Sequence, residues 1–204
     1  MRKEFCSELL GTFSMVFIGC FAIKQGYSGP MIAFSFGFAV FLVILISRRF
    51  SGAHINPAVS IAFTITGQLE RKLLPVYIVA QLTGALLAGI IIGEYGATEF
   101  TISINSGVII EVFITFILMF GIYLTIWHTN NDIFVALIVG IIVALLAFYF
   151  GQYTGASMNP ARTFGPNIVS GNADQIPIYF MSTIIGGIIA AFLSKIVNLS
   201  LIHI

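Results

Sequence analysis

Two Asn-Pro-Ala triplets, Asn56-Pro57-Ala58 and Asn159-Pro160-Ala161, are the residues of this chain best suited to chemistry. Asparagine is a strong helix N-cap, and proline sits comfortably at the first helical position because its missing N–H would be unpaired there anyway. Each triplet therefore predicts a helix start, with the Asn side-chain oxygen accepting from first-turn amides and its NH2 hydrogens turned outward. Both helices are short: Gly67 and Gly171 stop them after Thr66 and Ser170. A rise of about 17 Å covers only half of a membrane. If the two N-termini meet, each contributes about half a positive charge. A cation ~5 Å from both then meets ~3 kcal/mol of repulsion at an effective dielectric near 20. Desolvation adds a cost for ions of either sign. The chemistry on offer is hydrogen bonding to neutral molecules and rejection of charge.

The flanking residues extend this chemistry. Gly52-Ala53-His54-Ile55 and Gly155-Ala156-Ser157-Met158 precede the triplets, and their nonhelical carbonyls cannot face lipid, so they should line a wet path. Arg162 follows Asn159 by three residues and is the only basic residue between Asp132 and Lys195. Glu8 and Glu111 lie within apolar stretches, where a carboxylate is expensive and needs donors. Neither His-Glu-x-x-His nor Gly-x-Ser-x-Gly occurs, so the residues support no enzyme, metal site or cofactor.

The elements that position these residues belong in lipid. The chain is 58% hydrophobic and 8% charged, whereas soluble domains carry about a quarter charged residues. Apolar stretches run over about 5–23, 31–47, 73–93, 107–127, 133–153 and 176–193, each near the ~20 residues needed to cross a bilayer. The expectation is an all-α membrane protein of six transmembrane helices plus two re-entrant half-helices. The charged start, Met1 to Phe5, leads into the first span and not into a cleavable leader. Cys6 and Cys20 share that span, too far apart along a helix to pair. A net charge of +1 offers no basic face for nucleic acid. The glycosylation pattern at Asn198-Leu199-Ser200 sits at a span end and reads as chance.

The chain repeats itself at an offset of 103: Glu8 matches Glu111, Thr12-Phe13 matches Thr115-Phe116, and the triplets match each other. Gly37 pairs with Gly140 and Gly84 with Gly187 in the same register. The expected domain is single, 1–204, with internal repeats 1–101 and 104–204. Three spans per repeat is an odd number, so the second repeat enters from the opposite side, an inverted repeat. With the N-terminus cytoplasmic, seven of nine basic residues fall inside, Lys24 and Arg162 being the exceptions. Both termini are thus expected in the cytoplasm.

The two motif loops, 51–59 and 154–166, resemble the signature loops of the aquaporin, or major intrinsic protein, superfamily, and the resemblance covers the whole chain. It implies a homotetramer in the cell membrane with one pore per subunit, conducting water and excluding ions and protons through Arg162, the paired asparagines and the half-helix dipoles. It also implies that Glu8 and Glu111 accept from the backbone of the re-entrant loops and that His54 lines the pore. By motif offset, the family's four-residue constriction falls on Phe36, Ala147, Ala156 and Arg162. Water-selective members carry histidine where Ala147 stands, and commonly cysteine or threonine where Ala156 stands. Glycerol facilitators place tryptophan at Phe36, phenylalanine at Ala156 and aspartate at Thr163. The body of this chain is closer to the aquaporin-like branch, with Tyr179-Phe180 in its last span, but the constriction lacks its histidine.

Two functional readings of one class follow: a passive water channel, or a broader facilitator for glycerol, urea, ammonia or hydrogen peroxide. A coupled transporter or ion channel needs more intramembrane charge than Glu8, Glu111 and Arg162 supply. An adhesion protein needs larger outer loops.

Overall fold

The computed structural model describes residues 1–202, with side chains as far as Val197; the Asn198-Leu199-Ser200 side chains lie outside that range. Its long helices are α1 (Arg2–Lys24), α2 (Gly29–Ser51), α4 (Leu74–Ile92), α5 (Ile104–His128), α6 (Asp132–Thr154) and α8 (Ile176–Ile202). All six are long and apolar enough to cross a membrane. Two shorter helices, α3 (Pro57–Thr66) and α7 (Pro160–Ser170), complete an all-helical fold without strands among the described residues.

The long helices are apolar on every side. Leu10, Phe34, Ile90, Ile109 and Phe192 are exposed on the outer surface, as expected where the solvent is hydrocarbon. Hydrophobic burial therefore contributes little to holding one helix on another, and close packing through small residues does the work. At the crossing of α2 and α6, a Cβ on Gly37 would lie 2.5 Å from the Gly140 carbonyl oxygen, and one on Gly140 would lie 2.8 Å from that of Gly37. Only glycine lets these backbones meet.

The third spans depart from the 103-residue register. A Cβ on Gly84 would lie 2.2 Å from the Leu9 carbonyl, and its counterpart by contact is Gly186, 2.4 Å from that of Val112. Gly187 packs elsewhere, 3.1 Å from the Ala58 carbonyl. Tyr77 donates to the Ser51 carbonyl and Tyr179 to that of Thr154, both at 2.6 Å. The pairing of Gly84 with Gly187 is thus corrected to Gly84 with Gly186. The cause lies in the preceding turn: α7 has 11 residues against 10 in α3, but the connection after it, 171–175, is shorter than 67–73.

Candidate functional site

A cavity of about 980 Å³ follows α2 through the bundle, from Pro30 at one end to Arg48 at the other. On one side α2 offers Phe36, Val40, Ile44 and Arg48, and α6 offers Val135, Val139, Val143 and Ala147. Four-residue spacing places each set on one helical stripe. Opposite them stand the two nonhelical segments 52–56 and 155–159, every residue of which lines the cavity.

Those segments are built by Glu8 and Glu111, both fully buried. Glu8 Oε1 accepts from the His54 N–H at 2.9 Å and the Ser51 hydroxyl at 2.6 Å; Oε2 accepts from the Ile55 N–H at 2.6 Å and the Gln81 amide at 2.7 Å. Glu111 accepts from the Thr154 hydroxyl at 2.7 Å and the Ser157 and Met158 N–H groups at 2.8 and 2.9 Å. Ala53, Ile55, Ala156 and Met158 adopt left-handed φ values of 53, 45, 43 and 52°. Such conformations cost roughly 1–3 kcal/mol each in non-glycine residues and persist only where the surroundings enforce them. The carboxylates enforce them here by capturing the N–H groups. As a result the carbonyls of 52–54 and 155–157 accept no hydrogen bond from any described residue. Six unpaired acceptors beside a cavity call for a hydrogen-bonding occupant.

The half-helices meet where the triplets stand. Asn56 Oδ1 accepts from the Ala58 N–H and Asn159 Oδ1 from the Ala161 N–H, both at 2.9 Å. Each amide also donates across the junction: Asn56 to the Met158 carbonyl and Asn159 to that of Ile55, both at 2.8 Å. One NH2 hydrogen per asparagine is thereby committed to the opposite loop, and one remains for the cavity. Pro57, Ala58, Pro160 and Ala161 are buried behind the asparagines and do not line it. His54 does; its Nδ1 lies 3.1 Å from the Ser60 hydroxyl, and its ring packs on Phe63 and Tyr77.

Toward the Pro30 end, Phe36, Ala147, Ala156 and Arg162 all border the cavity. The Arg162 guanidinium sits 4.8 Å from the Phe36 ring centroid, a cation–π contact, and Nη1 donates to the Gly96 carbonyl at 2.5 Å. No carboxylate among the described residues pairs with it, and its other nitrogens have no protein acceptor there. An arginine 4% exposed thus keeps a full charge and free donors at the cavity wall.

Sequence reasoning missed Gly96, which carries no motif, and the far mouth, where Arg48 pairs with Asp132 and donates to the Asn130 carbonyl. The four-residue spacing from Phe36 to Arg48 was the available signal for the latter. Phe148 and Tyr149, next to Ala147 in sequence, also border the cavity and stay half exposed.

Six membrane-crossing helices around a lined passage, with two half-helices meeting inside it, define a multi-pass membrane channel. The chain belongs to the major intrinsic protein family, whose sequence pattern matches residues 1–194. It is 33% identical to aquaporin NIP1-1 of Zea mays over 212 residues, covering 96% of this chain and 75% of that protein. It is 35% identical to aquaporin-4 of Rattus norvegicus over 216 residues, covering 97% and 66%. The solved aquaglyceroporin from Plasmodium falciparum superposes with a TM-score of 0.83 at 26% identity, covering 95% of this chain and 93% of that one. Likeness extends to aquaporins and an aquaglyceroporin alike, so the choice between those branches rests on the constriction. Members of this family are membrane channels for water and small solutes, not enzymes.

Proposed function

We propose that this protein is a passive water channel of the cell membrane whose constriction also admits small uncharged solutes. The carrying observation is the wall formed by Arg162 on Phe36 beside two alanines, Ala147 and Ala156. In this reading water exchanges hydrogen bonds along the unpaired carbonyls of 52–54 and 155–157 and the spare Asn56 and Asn159 hydrogens. Cations and protons are turned back by Arg162 and the half-helix dipoles, the barriers that aquaporin-type pores use. The chain acts as one domain of two inverted repeats, 1–101 and 104–204, with both termini cytoplasmic and four copies per assembly.

The broader facilitator reading is favoured by the missing ring at Ala147. Without an imidazole opposite Arg162, selection rests on size more than on matched donors. Purified protein in liposomes, assayed by stopped-flow light scattering, should pass water together with urea, ammonia or hydrogen peroxide. Ala147→His should suppress the solute flux more than the water flux. A parent that conducts water, rejects every solute of the series and is unchanged by Ala147→His would overturn the wide constriction.

A further inference from the structure

Arg162 and the carbonyl that holds it lie on different elements. The arginine is on α7, and Gly96 is in the connection 93–103 between α4 and α5. Further along, the Thr101 N–H donates to the Tyr153 carbonyl at 3.0 Å and Phe100 stacks on Tyr179, while the stretch around Gly96 is held from α1 and from α7. From α1, Cys20 packs beneath Gly96, whose φ is +89° and where a Cβ would come within 2.4 Å of the Cys20 sulfur. From α7 comes Asn167, fully buried, five residues beyond Arg162. Its Oδ1 accepts from the Thr98 N–H at 2.8 Å and its Nδ2 donates to the Thr98 carbonyl at 2.9 Å. That satisfies both backbone groups of one residue, as a neighbouring strand would. The Thr98 hydroxyl lies 2.8 Å from that of Thr163, which lies 2.7 Å from that of Ser157 in the cavity wall. Nδ2 also reaches the Asn172 carbonyl at 3.3 Å.

The arginine needs an outside anchor. Pro166 stands inside α7 and has no N–H to give to the Arg162 carbonyl four residues earlier, so the helix is loosened at the residue it must present. The first half of the chain has neither part of the device: Val59 takes the place of Arg162, and Thr64 takes that of Asn167 and bonds only within its own helix.

We propose that Asn167 is the positioning residue for Arg162: by clamping Thr98 it fixes the Gly96 carbonyl, and that carbonyl keeps the guanidinium against Phe36. The inference rests on the reading of Arg162 as the charge at the constriction. Without the clamp the guanidinium loses its one protein acceptor and leaves the Phe36 ring.

A double-mutant cycle on the full chain in liposomes tests this, with Arg162→Val, Asn167→Ala and the combination, reading urea-to-water permeability ratio and proton leak. Arg162→Val should raise both. Asn167→Ala should raise the ratio by about threefold or more while leaving water flux near that of the parent, and the double variant should match Arg162→Val alone, as coupled residues do. If Arg162→Val leaves the ratio unchanged, the constriction reading fails. If Arg162→Val moves it and Asn167→Ala does not, or the two effects multiply, the clamp is overturned. Should Asn167→Ala fail to fold, Asn167→Ser, which keeps one hydrogen-bonding group for Thr98, must show a smaller rise of the same sign; an unchanged ratio there contradicts the proposal.

Discussion

The segments 52–66 and 155–170 differ in an instructive way. Both start with a glycine in the left-handed conformation, continue through two strained residues held by a buried carboxylate, and enter a helix through Asn-Pro. The backbone donors reaching Glu8 from 54 and 55 match those reaching Glu111 from 157 and 158. The side chains at corresponding places do not match. His54 stands against Ser157, Val59 against Arg162 and Thr64 against Asn167. Shaping the passage demands the same backbone from both sides, whereas rejecting charge needs one cation at one level. The scaffold is twofold, and in the function proposed above the selectivity is one-sided.

The largest effect should come from breaking the shared scaffold. Glu111→Ala leaves the Ser157 and Met158 N–H groups and the Thr154 hydroxyl without an acceptor in a buried site. Each orphaned donor costs about 1–3 kcal/mol. Thermal unfolding of detergent-purified protein should show a large loss of stability, or no folded protein. Glu8→Ala should be worse, since Gln81 and Ser51 lose a partner along with two backbone groups. A parent-like midpoint for either variant would mean that the carboxylates do not hold the loops.

A smaller effect sharpens the comparison between the third spans. Gly186→Ala drives a methyl into the Val112 carbonyl at 2.4 Å, while Gly187→Ala meets the Ala58 carbonyl at 3.1 Å. Overpacking costs about 1–3 kcal/mol. The same unfolding assay should rank Gly186→Ala with Gly84→Ala and leave Gly187→Ala nearer the parent. The reverse order would restore the 103-residue register in the third span.

Much of this molecule was legible in its sequence because the governing signals are local. Apolar length marks the six spans, and Asn-Pro followed by a distant glycine marks each half-helix from cap to stop. Helix ends run past what hydropathy marks: α1 starts at Arg2 and α5 at Ile104, a polar turn beyond the apolar stretch that composition detects. Other features depend on residues far apart in the chain. The crossed asparagine bonds to Met158 and Ile55, the Gly96 carbonyl under Arg162 and the Asn167 clamp on Thr98 leave no periodic trace. The slip from Gly187 to Gly186 leaves no mark in the sequence, because adjacent glycines satisfy either register.

The one-sided selectivity is tested most directly by proton and water flux through Arg162→Val in proteoliposomes. Removing a full charge from a buried wall leaves only the half-helix ends to oppose cations. The carbonyls of both loops and the spare asparagine hydrogens remain. The account predicts that the variant conducts water at nearly the parent rate and leaks protons where the parent does not. A variant that passes water and stays as proton-tight as the parent would contradict it.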